Sequence, residues 1–245
     1  MKTLKLLQLA RENAGASLPL RLEAQSGEPS LYLHGVIGGF WGDIDETEFA
    51  KTLAGLTAQT IHLRIDSPGG DVFAARSMMT AIAQHPARII AHVDGLAASA
   101  ATGLCMACDE VEMSQGAGFM IHNAWTVVIG NKDDLIDAAG LLEKIDVGLA
   151  HDYARRTDKA TGEITAWMDA ETWFTADEAR EAGFVDRVVE IVGKRTANAW
   201  NLSAYRNAPK APMAQAASNS ACDAALLSHR AAIERHFTLF ERMPA

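Results

Sequence analysis

A chain of 245 residues, 49% hydrophobic and 22% charged, suits one sizeable core with a small appendage and has no fibrous or low-complexity signature. Its net charge of −9 argues against a nucleic-acid or anionic-membrane surface. Three cysteines are too few for a disulfide framework, and the odd number argues against an oxidising compartment.

The first segment, Met1 to Arg11, is too interrupted by charge for a signal peptide. No stretch approaches the roughly 20 apolar residues of a membrane span, so a soluble, cytoplasmic protein is expected. Residues 1–30 read as an N-terminal arm. Leu31–Ile37 is strand-like and runs into a Gly38-Gly39 turn. Asp45 to Leu56 reads as a helix with acidic residues in its first turn, where they suit the dipole. Ile61-His62-Leu63-Arg64-Ile65 alternates as a strand does. Val72 to Gln84 reads as a helix ending before Pro86, and Arg88 to Val93 as a strand. Ala97 to Ala107 is apolar all round and predicts a buried helix.

Glu110–Met113 and Gly118–Ile121 are short strands. Lys132 to Arg156 is a long helical stretch with Leu135, Ala138, Ala139, Leu142, Ile145, Leu149 and Tyr153 at helical spacing. Thr175-Ala176-Asp177-Glu178 is a capping box, Gly183 closes the helix it opens, and Phe184–Val192 returns as a strand. The alternation of strand and helix predicts a mainly parallel sheet with flanking helices. Residues 194–222, with their Pro, Ala and Ser content, read as a flexible linker, and 223–245 as a C-terminal amphipathic helix.

Three short motifs carry chemistry. Ser67-Pro68-Gly69-Gly70 closes a strand, Gly95 to Ala101 surrounds Ser99 with small residues, and Phe119-Met120-Ile121-His122-Asn123 places a histidine on an apolar stretch. A serine hydrolase needs exposed backbone N–H groups, a nucleophile and a base, and these motifs supply all three. Each has a plainer reading. Ser99 alone would be an ordinary N-cap serine, Gly69-Gly70 a strand-ending turn, and His122 a satisfied core histidine. No Gly-Lys-Ser/Thr follows the glycines, which excludes a P-loop, and no G-x-S-x-G elbow is present. Cys105 and Cys108 form a C-x-x-C without a second pair, so small buried hydrophobes are preferred over a zinc or redox site. Asp169 and Glu171 are equal candidates, by composition, for the acid that orients the histidine.

Together these segments resemble the ClpP family of self-compartmentalising serine peptidases. Thr175-Ala176-x-Glu178-Ala179-x-x-x-Gly183-x-x-Asp186 resembles that family's C-terminal segment, and the similarity spans about Leu31 to Val192. The resemblance implies a ClpP/crotonase-like α/β fold of repeated β-β-α units, with a peptidase domain over residues 31–193. It implies Ser99 as nucleophile, His122 as general base, and the N–H groups of Gly70 and Ala100 as oxyanion hole. Aligning Trp173-Phe174 with the aromatic segment after the family's catalytic Asp puts Glu171 at the acid position, with Asp169 as the alternative.

Glu at the acid position departs from the family's usual Asp. Val36 to Ile44 and Glu171 to Thr175 resemble the ClpP-related head maturation proteases of phages and prophages. That branch implies scaffold or capsid proteins as substrates, in a host cytoplasm or an assembling prohead. The family further implies a homo-oligomer, a heptameric ring, and no cofactor or metal in this chain. Three rivals stand beside this reading. One is a housekeeping-type peptidase working with a Clp ATPase, another a non-catalytic capsid-assembly scaffold, the third a crotonase-type acyl-CoA enzyme.

Overall fold

Eight strands make one sheet in a computed structural model that describes residues 8–9, 12–13, 20–23, 27–38, 43–190 and 200–209. The expected 223–245 helix, and Phe40 and Trp41 of the Val36–Ile44 motif, lie outside the described residues. In chain order the strands are β1 (Arg21–Glu23), β2 (Ser30–His34), β3 (Thr60–Ser67), β4 (Arg88–Ala98), β5 (Glu110–Ser114), β6 (Gly118–Ile121), β7 (Thr172–Thr175) and β8 (Arg187–Val189). The helices are α1 (Glu46–Ala54), α2 (Val72–Gln84), α3 (Ala100–Ala107), α4 (Lys132–Thr157), α5 (Thr161–Ala170) and α6 (Ala176–Ala182). The sheet order is β1-β2-β3-β4-β5-β8, with β6 on β4 and β7 on β6. Pairs β1–β2 and β6–β7 are antiparallel and all others parallel, which is the α/β class expected.

The alternation of β3 decides its two faces. Ile61, Leu63 and Ile65 are fully buried in the main core, which also takes Leu31, Leu33, Phe49, Met78 and Leu104. The opposite face is polar. Arg64 Nε donates to Asp94 Oδ2 at 2.9 Å, His62 Nδ1 lies 2.8 Å from His92 Nε2, and His92 Nδ1 lies 3.1 Å from Glu112. Asp45 and Asp71 cap α1 and α2 by accepting first-turn N–H groups. The Thr175–Glu178 capping box forms, and Gly183 closes α6 with φ +90°.

Several elements differ from expectation. The helix expected from Ala97 begins only at Ala100, because Gly95–Ala98 continue β4. Leu96, Ala97 and Ala98 pair with Gly118, Phe119 and Met120, and Ser67 pairs with Ala97, so cross-strand bonding overrides the helix propensity of alanine. The expected Leu31–Ile37 strand ends at His34, beyond which Ile37 keeps isolated bridges to Ile44 and Gly70. The last strand is Arg187–Val189, while Phe184 and Val185 are buried in the turn before it. On α4 only Leu149, Ala150, Tyr153 and Thr157 are buried, and Leu135, Ile136, Leu141 and Val147 stand exposed.

The arm and the linker are also more docked than expected. Leu9 and Asn13 are buried, and β1 pairs with β2. Residues 200–209, inside the expected 194–222 linker, pack on the domain through buried Ala204 and Tyr205, which meet Leu9, Leu96, Ala98 and Met120 in a second apolar cluster. An aromatic side chain with an apolar cavity to fill outweighs the loop-like composition around it.

Candidate active site

Strand register brings the three motifs together. Strands β4 and β6 run parallel, and Ala98 pairs with Met120. The Ser99 N–H donates to the Met120 carbonyl at 2.8 Å, so Ser99 and His122 leave adjacent strands at the same end of the sheet. There His122 Nε2 lies 2.7 Å from Ser99 Oγ, and the imidazole is buried. A base at that distance can take the hydroxyl proton.

Ser99 sits at a sharp strand-to-helix turn. Its φ of 55° and ψ of −125° are costly for a residue with a Cβ, on the order of 1–3 kcal/mol. Although it heads α3, its side chain makes no capping bond, which removes the ordinary N-cap explanation. The turn is held from below: the Thr102 hydroxyl donates to the Ser99 carbonyl at 2.6 Å and accepts from the Tyr153 hydroxyl at 2.6 Å. Burial pushes the Tyr153 phenol up to about 12, which keeps it a donor.

The glycine turn is built for close backbone approach. A Cβ on Gly70 would lie 2.1 Å from the Ile37 carbonyl oxygen, and its φ is +151°. The Ile37 N–H donates to Gly69 O at 2.8 Å and the Asp71 N–H to Ile37 O at 2.9 Å. In a parallel bridge those bonds come from the residues on either side of Gly70, so the N–H of Gly70 itself is outside the bridge. The Ala100 N–H is at the start of α3, where helix geometry gives it no carbonyl partner. Gly70, Ala100, Ser99, His122, Trp125 and Tyr205 line one pocket of about 280 Å³.

The antiparallel β6–β7 register runs from Gly118↔Thr175 to Ile121↔Thr172. Glu171 and His122 are the next residues beyond that last pair. Glu171 is buried, in a left-handed conformation at the end of α5, and its Oε2 and Oε1 accept the N–H groups of Arg206 at 2.9 Å and Asn207 at 2.6 Å. Asp169 lies two residues earlier, and its Oδ1 accepts from Asn123 Nδ2 at 2.7 Å in an exposed bond.

Other groups near the site escaped the sequence reading. Asp146 accepts the Ala124 N–H at 2.7 Å, and its carboxyl is held above the ordinary range mainly by burial and further by the charge of Asp169. Trp125 packs edge-on to His122 at 4.5 Å between ring centroids. Tyr205 approaches from a segment 83 residues beyond His122, with no motif to mark it. Cys105 and Cys108 are buried, and burial pushes the Cys105 thiol up to about 12 and Cys108 well up as well. Both behave as core residues.

A family described as Clp protease matches residues 48–192, more than half of the chain. The ATP-dependent Clp protease proteolytic subunit 3 of Rhodococcus jostii is 30% identical over 157 residues, which cover 60% of this chain and 78% of that protein. The proteolytic subunit 1 of Leifsonia xyli is 29% identical over 154 residues, with the same coverage. Among solved structures, a point mutant of ClpP1 from Listeria monocytogenes superposes with a TM-score of 0.59 at 18% identity, covering 66% of this chain and 91% of that one. That likeness supports the fold.

Proposed function

This chain belongs to the Clp protease family, and we propose that it acts as a serine endopeptidase with Ser99 as nucleophile and His122 as base. The observation that carries this reading is the 2.7 Å approach of His122 Nε2 to the hydroxyl of a serine in a strained turn. His122 takes the Ser99 proton as Oγ attacks a peptide carbonyl. The N–H groups of Gly70 and Ala100 receive the developing oxyanion, and His122 returns the proton to the leaving amine. Water, activated by the same imidazole, then hydrolyses the acyl-enzyme. The burial of Glu171 directly before β7, against the exposed bond of Asp169 to Asn123, supports Glu171 over Asp169 as the acid that stabilises the imidazolium.

The finer assignment is to a phage or prophage head maturation protease acting on scaffold or capsid proteins. It is supported by the Glu171 to Thr175 segment and the Val36 to Ile44 motif. A homo-oligomer, in the family's ring form, would cover the apolar side chains Leu135, Ile136, Leu141 and Val147 that α4 leaves exposed. No helix among the described residues is long and apolar enough to cross a membrane.

Intact mass after a fluorophosphonate probe tests the chemistry. One adduct on the parent and none on Ser99→Ala is expected; an adduct that survives the substitution would remove Ser99 from the mechanism. A second reading, a peptidase subunit fed by a Clp ATPase, is favoured by the names of the curated relatives. Degradation of a folded substrate only when a Clp ATPase and ATP are added would select it. Processing of co-expressed capsid proteins without one would select the first.

A further inference from the structure

We propose that residues 200–208 are an intramolecular latch, seated in the substrate cleft, that keeps the site latent until it is displaced. This rests on the serine-peptidase reading of Ser99 and His122. The latch is held along its length. Trp200 Nε1 donates to Asp66 Oδ1 at 2.8 Å. The Asn201 backbone and the Asn13 side chain exchange two bonds, at 2.7 and 2.9 Å. Asn207 Nδ2 donates to the Ala170 carbonyl at 2.7 Å.

Between these anchors the segment meets all the working parts. The Tyr205 ring is buried 5.4 Å from the His122 ring, 5.0 Å from Trp125 and 5.7 Å from Trp173, centroid to centroid. Its hydroxyl donates to the Pro68 carbonyl, one residue before the glycine pair, and the residue lines the same pocket as Ser99. The backbone N–H groups of Arg206 and Asn207 take both oxygens of Glu171. One segment therefore shares the pocket of the nucleophile, packs on the base, and engages both oxygens of Glu171.

Tyr205 lines the pocket that Ser99, His122, Gly70 and Ala100 share, so a polypeptide substrate entering that pocket to reach Ser99 Oγ meets the ring. While the latch is seated, substrate meets only the fraction of molecules that have released it, and the apparent rate falls by that fraction. The occupant is this chain's own 200–208 segment, and its central feature is an aromatic side chain between small and polar neighbours. A competing ligand of the same form, an extended peptide bearing one aromatic residue, would enter the cleft by replacing it.

Full-length parent, Tyr205→Ala and Tyr205→Phe are compared by the rate of fluorophosphonate labelling, with Ser99→Ala as blank. The latch predicts a tenfold or greater rise for Tyr205→Ala and a smaller rise for Tyr205→Phe, which keeps the ring and loses the hydroxyl bond to Pro68. A synthetic peptide of residues 199–209 added to Tyr205→Ala restores slow labelling, and the same peptide with Ala at 205 does not. Hydrogen exchange of the 200–208 amides, faster in Tyr205→Ala at unchanged exchange in β3 and β4, verifies release in a folded protein. Equal labelling of parent and variants overturns the latch and leaves the serine-peptidase reading intact. Slower labelling of a folded Tyr205→Ala also overturns it, by making Tyr205 a part of the working site. Release without labelling in any variant fails the serine-peptidase reading itself, and the latch falls with it.

Discussion

Gly70→Ala separates the geometry of the proposed oxyanion turn from the rest of the fold. The new Cβ would meet three backbone atoms of Ile37, its oxygen at 2.1 Å, its nitrogen at 2.6 Å and its carbonyl carbon at 2.8 Å. Ordinary contact begins near 3.4 Å, so one chain must retreat by about 1 Å. Backbone cannot swing aside as a long side chain can. Overpacking of this kind costs about 1–3 kcal/mol, and the φ of +151° adds a comparable strain. We expect a loss of about 2–4 kcal/mol, read as a fall in the urea midpoint.

Displacing the Gly70 N–H by about 1 Å should also slow fluorophosphonate labelling of Ser99 roughly 100-fold in protein that is still folded. Gly116→Ala is the control. Its φ is also positive, at +83°, but a Cβ there meets nothing within 4 Å, so about 1 kcal/mol and unchanged labelling are expected. A Gly70→Ala protein within 1 kcal/mol of the parent, labelling within threefold of it, would refute the argument that the Ile37 bridge fixes this N–H.

Under the proposed mechanism Glu171→Gln should lower peptide-hydrolysis kcat by 100-fold or more, and Asp169→Asn by less than threefold, since Glu171 is buried beside the β6–β7 pair while Asp169 is taken up by Asn123 in an exposed bond. The reverse order would move the acid to Asp169. Cys105 and Cys108 should resist iodoacetamide at pH 8 until urea unfolds the core, because burial raises both thiols, as mass-mapped peptides would reveal. His92 is held down to about 4, first by burial and then by the Arg64 charge. Its unfolded value lies near 6.5, so between those values the unfolded chain binds the proton more readily. Its contribution is complete above pH 6.5 and is lost as pH falls towards 4, on the order of 2 kcal/mol once solvent around the ring is allowed for. The Tm of the parent should fall by about 5 °C across that window beyond any fall seen for His92→Asn, and parallel curves would contradict it.

By itself the sequence determined the alternation of strands and helices and the caps at Thr175 and Gly183, because those depend on neighbours within a few residues. It also singled out Ser99, His122 and the Gly69-Gly70 pair, whose chemistry is carried by residue type. It could not see that Gly95–Ala98 are strand, since alanine and glycine take that form only when β3 and β6 lie alongside to bond them. Nor could it decide between Glu171 and Asp169, which are two residues apart in the chain but take different partners once β7 lies antiparallel to β6. The strained turn at Ser99 arises where a strand and a helix, each fixed by its own long-range packing, must join across one residue. The docking of Tyr205 against His122 is the furthest from the sequence of all. Nothing local in Leu202-Ser203-Ala204-Tyr205-Arg206 marks a contact, and only the closed sheet creates the apolar cleft that an aromatic ring can fill.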